Sequence, residues 1–176
     1  MSSAVALAVF LAANFAAAST GAIFKPGRWY RDLDKPSWTP PDWLFPIAWS
    51  ILYVMIAVAG WLVWKVAGWA AWPAYLIYGL QLALNAGWSA VFFGLRRPDW
   101  AMLEVGFLWT AIVLTILAFF QYSALAGWLL VPYAVWASFA AVLNAAIWTR
   151  NRPFFRRARA HADRHAEPVP LSGPNR

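Results

Sequence analysis

Five runs of apolar residues, at 4–24, 43–64, 69–93, 101–120 and 124–148, dominate this sequence. About twenty apolar residues in a helix cross the roughly 30 Å of bilayer hydrocarbon, so each run is long enough to span. Backbone polar groups in lipid must be satisfied inside the segment, and no run shows the short alternation of a barrel strand. Helices are therefore the expected element, and the fold class is all-α: an integral membrane bundle of five transmembrane helices. Composition agrees, with 62% apolar and 12% charged residues, too few charges to coat a water-facing surface. The first run could be mistaken for a signal peptide ending at Ala16-Ala17-Ala18. No Lys or Arg precedes it, however, and it continues to Phe24, so it reads as a span.

Charge sets the expected orientation. Lys25, Arg28, Arg31, Lys35, Arg96, Arg97 and seven arginines from Arg150 onward fall on one side of a five-span chain; Lys65 alone falls on the other. The positive-inside rule then places the N-terminus outside and the C-terminus in the cytoplasm. Trp61, Trp64, Trp69 and Trp72 flank the second loop and Trp29, Trp38, Trp43, Trp100 and Trp148 the opposite interface, as belt anchors do. Residues 1–150 are expected to form the membrane domain, and 151–176 a basic cytoplasmic tail too polar and proline-rich to order itself. Its arginines read as a topological anchor at anionic headgroups, not as a nucleic-acid site.

The loop from Lys25 to Asp42 carries Pro36, Pro40 and Pro41, which fix the backbone, and Trp29, Tyr30 and Trp38, which offer surface to fold back on something. It is expected to be a structured lid over the bundle mouth. Within the third run Gln81, Asn85, Trp88 and Phe92 share one helical stripe. Polar groups in a span avoid lipid, so this stripe should face inward. Trp49 and Tyr53 share a face of the second run, and Trp136, Ala140, Leu143 and Ile147 one of the fifth. Together these faces would wall an aromatic cavity with a few amides, suited to a large flat apolar ligand; aromatic core packing is the plainer alternative. Gly79, Ala83 and Gly87 form a small-residue stripe on the opposite face, available for a second copy or for packing within the chain. Glu104, just inside the fourth run, could pair with Arg96 or Arg97 or snorkel to the interface. Asn14 and Asn144 could bond across helices. There is no Cys and both His lie in the tail, so no metal site, Cys nucleophile or Ser-His-Asp triad is expected.

The sequence resembles the TspO/translocator protein family, once called peripheral-type benzodiazepine receptors. The resemblance rests on Trp29-Tyr30, then Lys35-Pro36-Ser37-Trp38-Thr39-Pro40-Pro41, then Trp49 to Tyr53. Gln81 to Asn85 with Trp88, Phe92-Phe93-Gly94, Pro132-Tyr133 with Trp136, and Leu143-Asn144 with Trp148 continue it, over about residues 14–151. It implies a five-helix bundle, often dimeric, that binds porphyrins such as protoporphyrin IX, sterols and synthetic aromatic ligands, with no cofactor required. By motif position it implies that Trp38, Trp49, Asn85, Trp88, Trp136, Ala140 and Leu143 line the pocket, with Tyr30 in the lid and Ala140 as a size gate. Ala145 and Ala146 stand where the family's proposed cholesterol stretch needs a tyrosine, which argues against tight sterol binding.

Three functions compete at this level. The first is sensing, sequestration or transport of a tetrapyrrole. The second is light-dependent porphyrin breakdown with Trp49 and Trp136 as the reactive residues, the excited ligand supplying the chemistry. The third is a membrane scaffold that recruits partners through the glycine stripe and the basic tail. The absence of Cys and the Ala/Arg/Trp bias point to a bacterium of high genomic GC.

Overall fold

The computed structural model describes the backbone of residues 1–166, with side chains through Pro153 and at Phe155. All its regular structure among these residues is helical. In chain order the elements are α1 (Ser3–Ile23), a short α2 (Arg28–Arg31), α3 (Leu44–Ala67), α4 (Trp72–Ser89), α5 (Pro98–Phe120) and α6 (Ala124–Ala166). A 3₁₀ turn at Gly68–Ala71 joins α3 to α4, and a π turn at Ala90–Gly94 extends α4. The five long helices match the five apolar runs to within a few residues at most ends. The exception is α6, which continues past residue 150 to Ala166. The boundary expected at 150 thus falls inside a helix, and residues 167–176 lie outside the described residues.

Local chemistry explains the helix ends. The Ser2 side chain accepts from the Val5 N–H at 3.3 Å and caps α1. Gly68 ends α3 at φ +51°, a conformation that favours glycine. Pro73 and Pro98 sit in the first turns of α4 and α5, where a missing N–H costs nothing.

The helices close a ring: α1 packs on α3, α3 on α6, α6 on α5, α5 on α4, and α4 back on α1. Large apolar side chains point out of it all round, among them Phe15, Ile51, Leu76, Phe107 and Val135, each at least half exposed. Asn14, Gln81, Asn85, Thr115 and Asn144 are buried within it. Apolar outside and polar inside is the distribution lipid demands, and the protein is a multi-span integral membrane protein. Away from the lid the core is tightly made. Phe10 packs edge-on to Tyr78, and Tyr78 stacks on Phe119. A Cβ on Gly60 would come within 2.6 Å of the Phe10 ring, so only glycine lets α1 and α3 approach this closely.

Candidate functional site

The loop between α1 and α3 folds over one end of the ring as a lid. Tyr30 on α2 is buried, its ring edge-on to Phe92 and Phe93 at 6.1 and 5.4 Å, while Trp29 meets Phe92 and Phe155. Lys35 turns back to cap α2: its ammonium donates to the carbonyls of Tyr30 at 2.7 Å and Arg31 at 3.2 Å and sits over the Tyr30 ring. Burial, helped by the nearby Asp42 charge, pushes the Tyr30 phenol up to about 12, so it stays neutral in ordinary buffers. Asn151 latches the lid to α6. Its carbonyl oxygen accepts from the Asp34 N–H at 3.0 Å, and its amide donates to the Asp34 carbonyl at 2.9 Å. Arg150 adds a loose, exposed ion pair to Asp34 at 3.5 Å.

Beneath the lid lies an aromatic layer. Tyr30, Leu33, Phe92, Ala101, Leu143 and Ile147 form one buried cluster, with Trp88 packed against it. Trp88 and Phe92 stack at 5.0 Å and 17°. The π turn that follows shifts the helix register here, a device common at functional sites.

Deeper still, the amides of α4 join a hydrogen-bond chain across three helices. The Tyr53 hydroxyl donates to Asn85 Oδ1, Asn85 Nδ2 donates to the Tyr133 hydroxyl at 2.9 Å, and that hydroxyl donates to Gln81 Oε1 at 2.9 Å. Trp49 lies against both tyrosines, at 5.4 and 6.1 Å. The stripe read from the sequence therefore does face inward, and Tyr133, quoted only as part of a motif, is its junction.

The candidate residues fall into three groups. Tyr30, Trp88, Phe92 and Leu143 share the layer under the lid, whereas Tyr53, Gln81 and Asn85 share the polar chain, with Trp49 packed against its tyrosines. Trp38 is half exposed at the lid's edge against Phe139, and Trp136 lies between Phe45 and Phe139. Ala140 is half-buried on α6. The inward faces pack on one another. A groove of about 580 Å³ lies on the outer face between α3 and α6. Its walls include Leu52, Met55, Pro132 and Phe139, and Trp136 is the one candidate residue among them. Pro132, which removes a hydrogen bond inside α6, sits at this opening.

Other expectations resolve as follows. Gly79 and Ala83 are exposed, and a Cβ on Gly79 or Gly87 would meet nothing within 4 Å, so the described residues do not cover that stripe. Asn14 does bond across helices, its amide donating to the Tyr78 hydroxyl and to the Phe10 carbonyl. Asn144 does not: both its amide atoms are buried without a partner among the described residues. Arg97 pairs with Asp99 through two bonds of 2.7 and 2.8 Å, and the Glu104 oxygens are buried with no partner among the described residues, so Glu104 does not pair with Arg96 or Arg97 or snorkel. Sequence reading missed Asn151 as the latch. Its signal was the Asn144, Ile147, Asn151 spacing, one stripe carried past the end of the apolar run.

Comparison with known proteins follows the same residues. The family model described as TspO/MBR matches residues 4–149. Protein CrtK of Rhodobacter capsulatus is 40% identical over 146 residues, covering 82% of this chain and 91% of its own. The Tryptophan-rich sensory protein of Cereibacter sphaeroides is 44% identical over 135 residues, covering 77% and 84%. The human Translocator protein is 40% identical over 127 residues, covering 70% and 75%.

Proposed function

We propose that this chain, which belongs to the TspO/MBR family, binds a porphyrin such as protoporphyrin IX between its helices and beneath the lid. The observation that carries this reading is the layering at the lid end: stacked aromatic rings under a latched cover, with a chain of amides and phenols directly below. A flat macrocycle needs apolar faces on both sides and a few fixed polar groups at its edges. Trp88, Phe92 and Leu143 offer the first; Asn85, Gln81, Tyr53 and Tyr133 offer the second. Because these groups already pack on one another, binding requires the lid and the rings under it to shift apart. The latch is two hydrogen bonds and one exposed ion pair, little to open. Sensing, sequestration or transport of the ligand are the roles such a site serves. The open Gly79/Ala83/Gly87 face supports a homodimer, and the basic residues at the lid end support a cytoplasmic C-terminus. For a sterol the sequence offers little, and the α3–α6 groove is the face where one would lie.

Light-dependent breakdown of the bound porphyrin is the second reading. Trp49 favours it, because its ring lies against two tyrosines that enter the polar chain, so the light-excited ligand could take an electron or a hydrogen atom from the ring, reducing the ligand and leaving a tryptophan radical.

A dark titration of purified protein with protoporphyrin IX, followed by tryptophan quenching, tests the first reading. Saturable quenching at micromolar ligand, weakened by Asn85→Ala and by Trp136→Phe, is expected. Non-saturable quenching shared by both variants would mean partitioning into detergent and would overturn it. Under illumination, bleaching that stops in Trp49→Phe/Trp136→Phe while binding persists would favour breakdown.

A further inference from the structure

The outer groove between α3 and α6 shares a wall with the candidate site. Phe139 lines the groove and also packs against the aromatic layer under the lid. Trp136 lines it too, its ring lying between that of Phe139 and that of Phe45, which packs on the same layer. At the lid's edge Trp38 meets the Phe139 ring at 5.8 Å. Deeper in, Leu52 and Pro132 wall the groove, and the residues next to them in the chain, Tyr53 and Tyr133, belong to the polar chain. The groove therefore backs onto both parts of the site.

The seam itself is weakly tied. Side-chain hydrogen bonds join α1 to α3, α1 to α4, α3 to α4, α4 to α6 and α5 to α6. Among the described residues none joins α3 to α6, where rings meet instead: Trp49 on Tyr133 and Phe45 on Trp136. Helices α4 and α5 lack one as well, but the π turn and the three residues after it hold their ends together. Pro132 has no N–H for the Trp128 carbonyl one turn back, so α6 bends more easily at the groove. Depth favours an occupant from the bilayer. Ala48 and Met55 lie four and eleven residues in from Leu44, roughly 6 and 17 Å at about 1.5 Å per residue. The groove thus opens into the hydrocarbon of the lid-side leaflet, below a rim bearing the exposed Arg28, Arg31 and Arg96. A flat apolar molecule with acidic groups at one edge would lie there with that edge at the rim and its rings at the groove.

We propose that the α3–α6 groove is an outer site for a flat, acid-edged apolar molecule dissolved in the bilayer, and that this ligand passes from it into the bundle between α3 and α6. Trp136 and Phe139 form the door and Pro132 the hinge. Trp38 leans on Phe139, so a shift of the lid frees the door. The inference rests on the porphyrin reading above and supplies the entrance that a packed interior under a latched lid requires.

The test is stopped-flow tryptophan quenching by protoporphyrin IX, using full-length protein in lipid nanodiscs. Ala48→Phe fills the groove from α3, and Pro132→Ala restores the missing N–H and stiffens α6. An entrance sets rates and not the end state. Association and dissociation should therefore slow together, by about tenfold in Ala48→Phe and about threefold in Pro132→Ala, with Kd within about twofold of wild type. Leu76→Phe, a similar enlargement on the lipid face of α4, should leave both rates unchanged. Pro132→Ala removes a helix defect and should unfold no lower than wild type, so the test stands even if Ala48→Phe does not fold. Wild-type rates in the groove variants, beside saturable binding by wild type, would overturn the entrance and leave the porphyrin reading standing. Equal slowing by Leu76→Phe would overturn it too. So would a loss of affinity through faster dissociation alone, which would make the groove the ligand's resting place. Wild type without saturable quenching would remove the porphyrin reading, and this entrance with it.

Discussion

The two ends of this bundle are built on different principles. At the end away from the lid, Phe10, Tyr78 and Phe119 interlock around a glycine that admits no larger residue, and the Asn14 amide makes two bonds through its nitrogen. At the lid end, rings stack beside a π turn, a short loop is held by one asparagine, and three polar groups go unanswered. Lipid is as apolar as a leucine side chain, so the helices are held by close packing and internal hydrogen bonds. The first end is the more closely packed, with Asn14 Oδ1 its one buried polar atom lacking a partner among the described residues, and the second gathers most of the others.

That contrast breaks most visibly at Phe10. Phe10→Ala should cost on the order of 3 kcal/mol, mainly as packing lost around an unfilled cavity, with ligand affinity unchanged per folded molecule. Thermal unfolding and a binding titration on the same preparation would check it. Tyr133→Phe removes the hydroxyl that joins Gln81 to Asn85 and should cost about 1–3 kcal/mol, since two buried amide groups lose a partner. This residue sits between the two ends, so affinity and stability should both fall.

Asn151→Ala removes both bonds between α6 and the Asp34 backbone and should loosen the lid by about 1–2 kcal/mol. Faster ligand release and faster proteolysis at 32–39, with an unfolding temperature close to wild type, are expected. Arg150→Ala, which breaks only the exposed pair, should change release by no more than about 0.5 kcal/mol. The smallest effect is a pH dependence. The Tyr30 phenol is held at about 12 against an ordinary 10, so the folded lid favours its neutral form. Its contribution is complete below pH 10 and declines as pH rises from 10 toward 12. Ligand release should quicken over that interval, and Tyr30→Phe should remove the dependence.

Much of this architecture was legible before any coordinates. Run length and backbone satisfaction give five helices; the Gln81, Asn85, Trp88 spacing gives the inward face of α4; the prolines and aromatics of residues 25–42 give the lid. What stayed hidden depends on side chains meeting across helices. Tyr133 and Asn85 are 48 residues apart, and no periodicity within one helix pairs them. Asn151 falls just past the apolar run, where a basic and proline-containing stretch reads as tail. Glu104 has two arginines a turn or two away, and only the geometry shows that one of them is held by Asp99. The open volume on the α3–α6 face was not foreseen, because inward stripes say nothing about how closely the rings will pack.

Hydrogen–deuterium exchange of the nanodisc-embedded protein, with and without protoporphyrin IX, tests the central claim most directly. If the lid end is the ligand's place, protection should rise at residues 28–39 and across the π turn and loop at 90–97, with the loop at 66–72 unchanged. Protection confined to 66–72, or saturable binding that leaves both lid-end segments unprotected, would place the ligand elsewhere and contradict the division of the bundle drawn here.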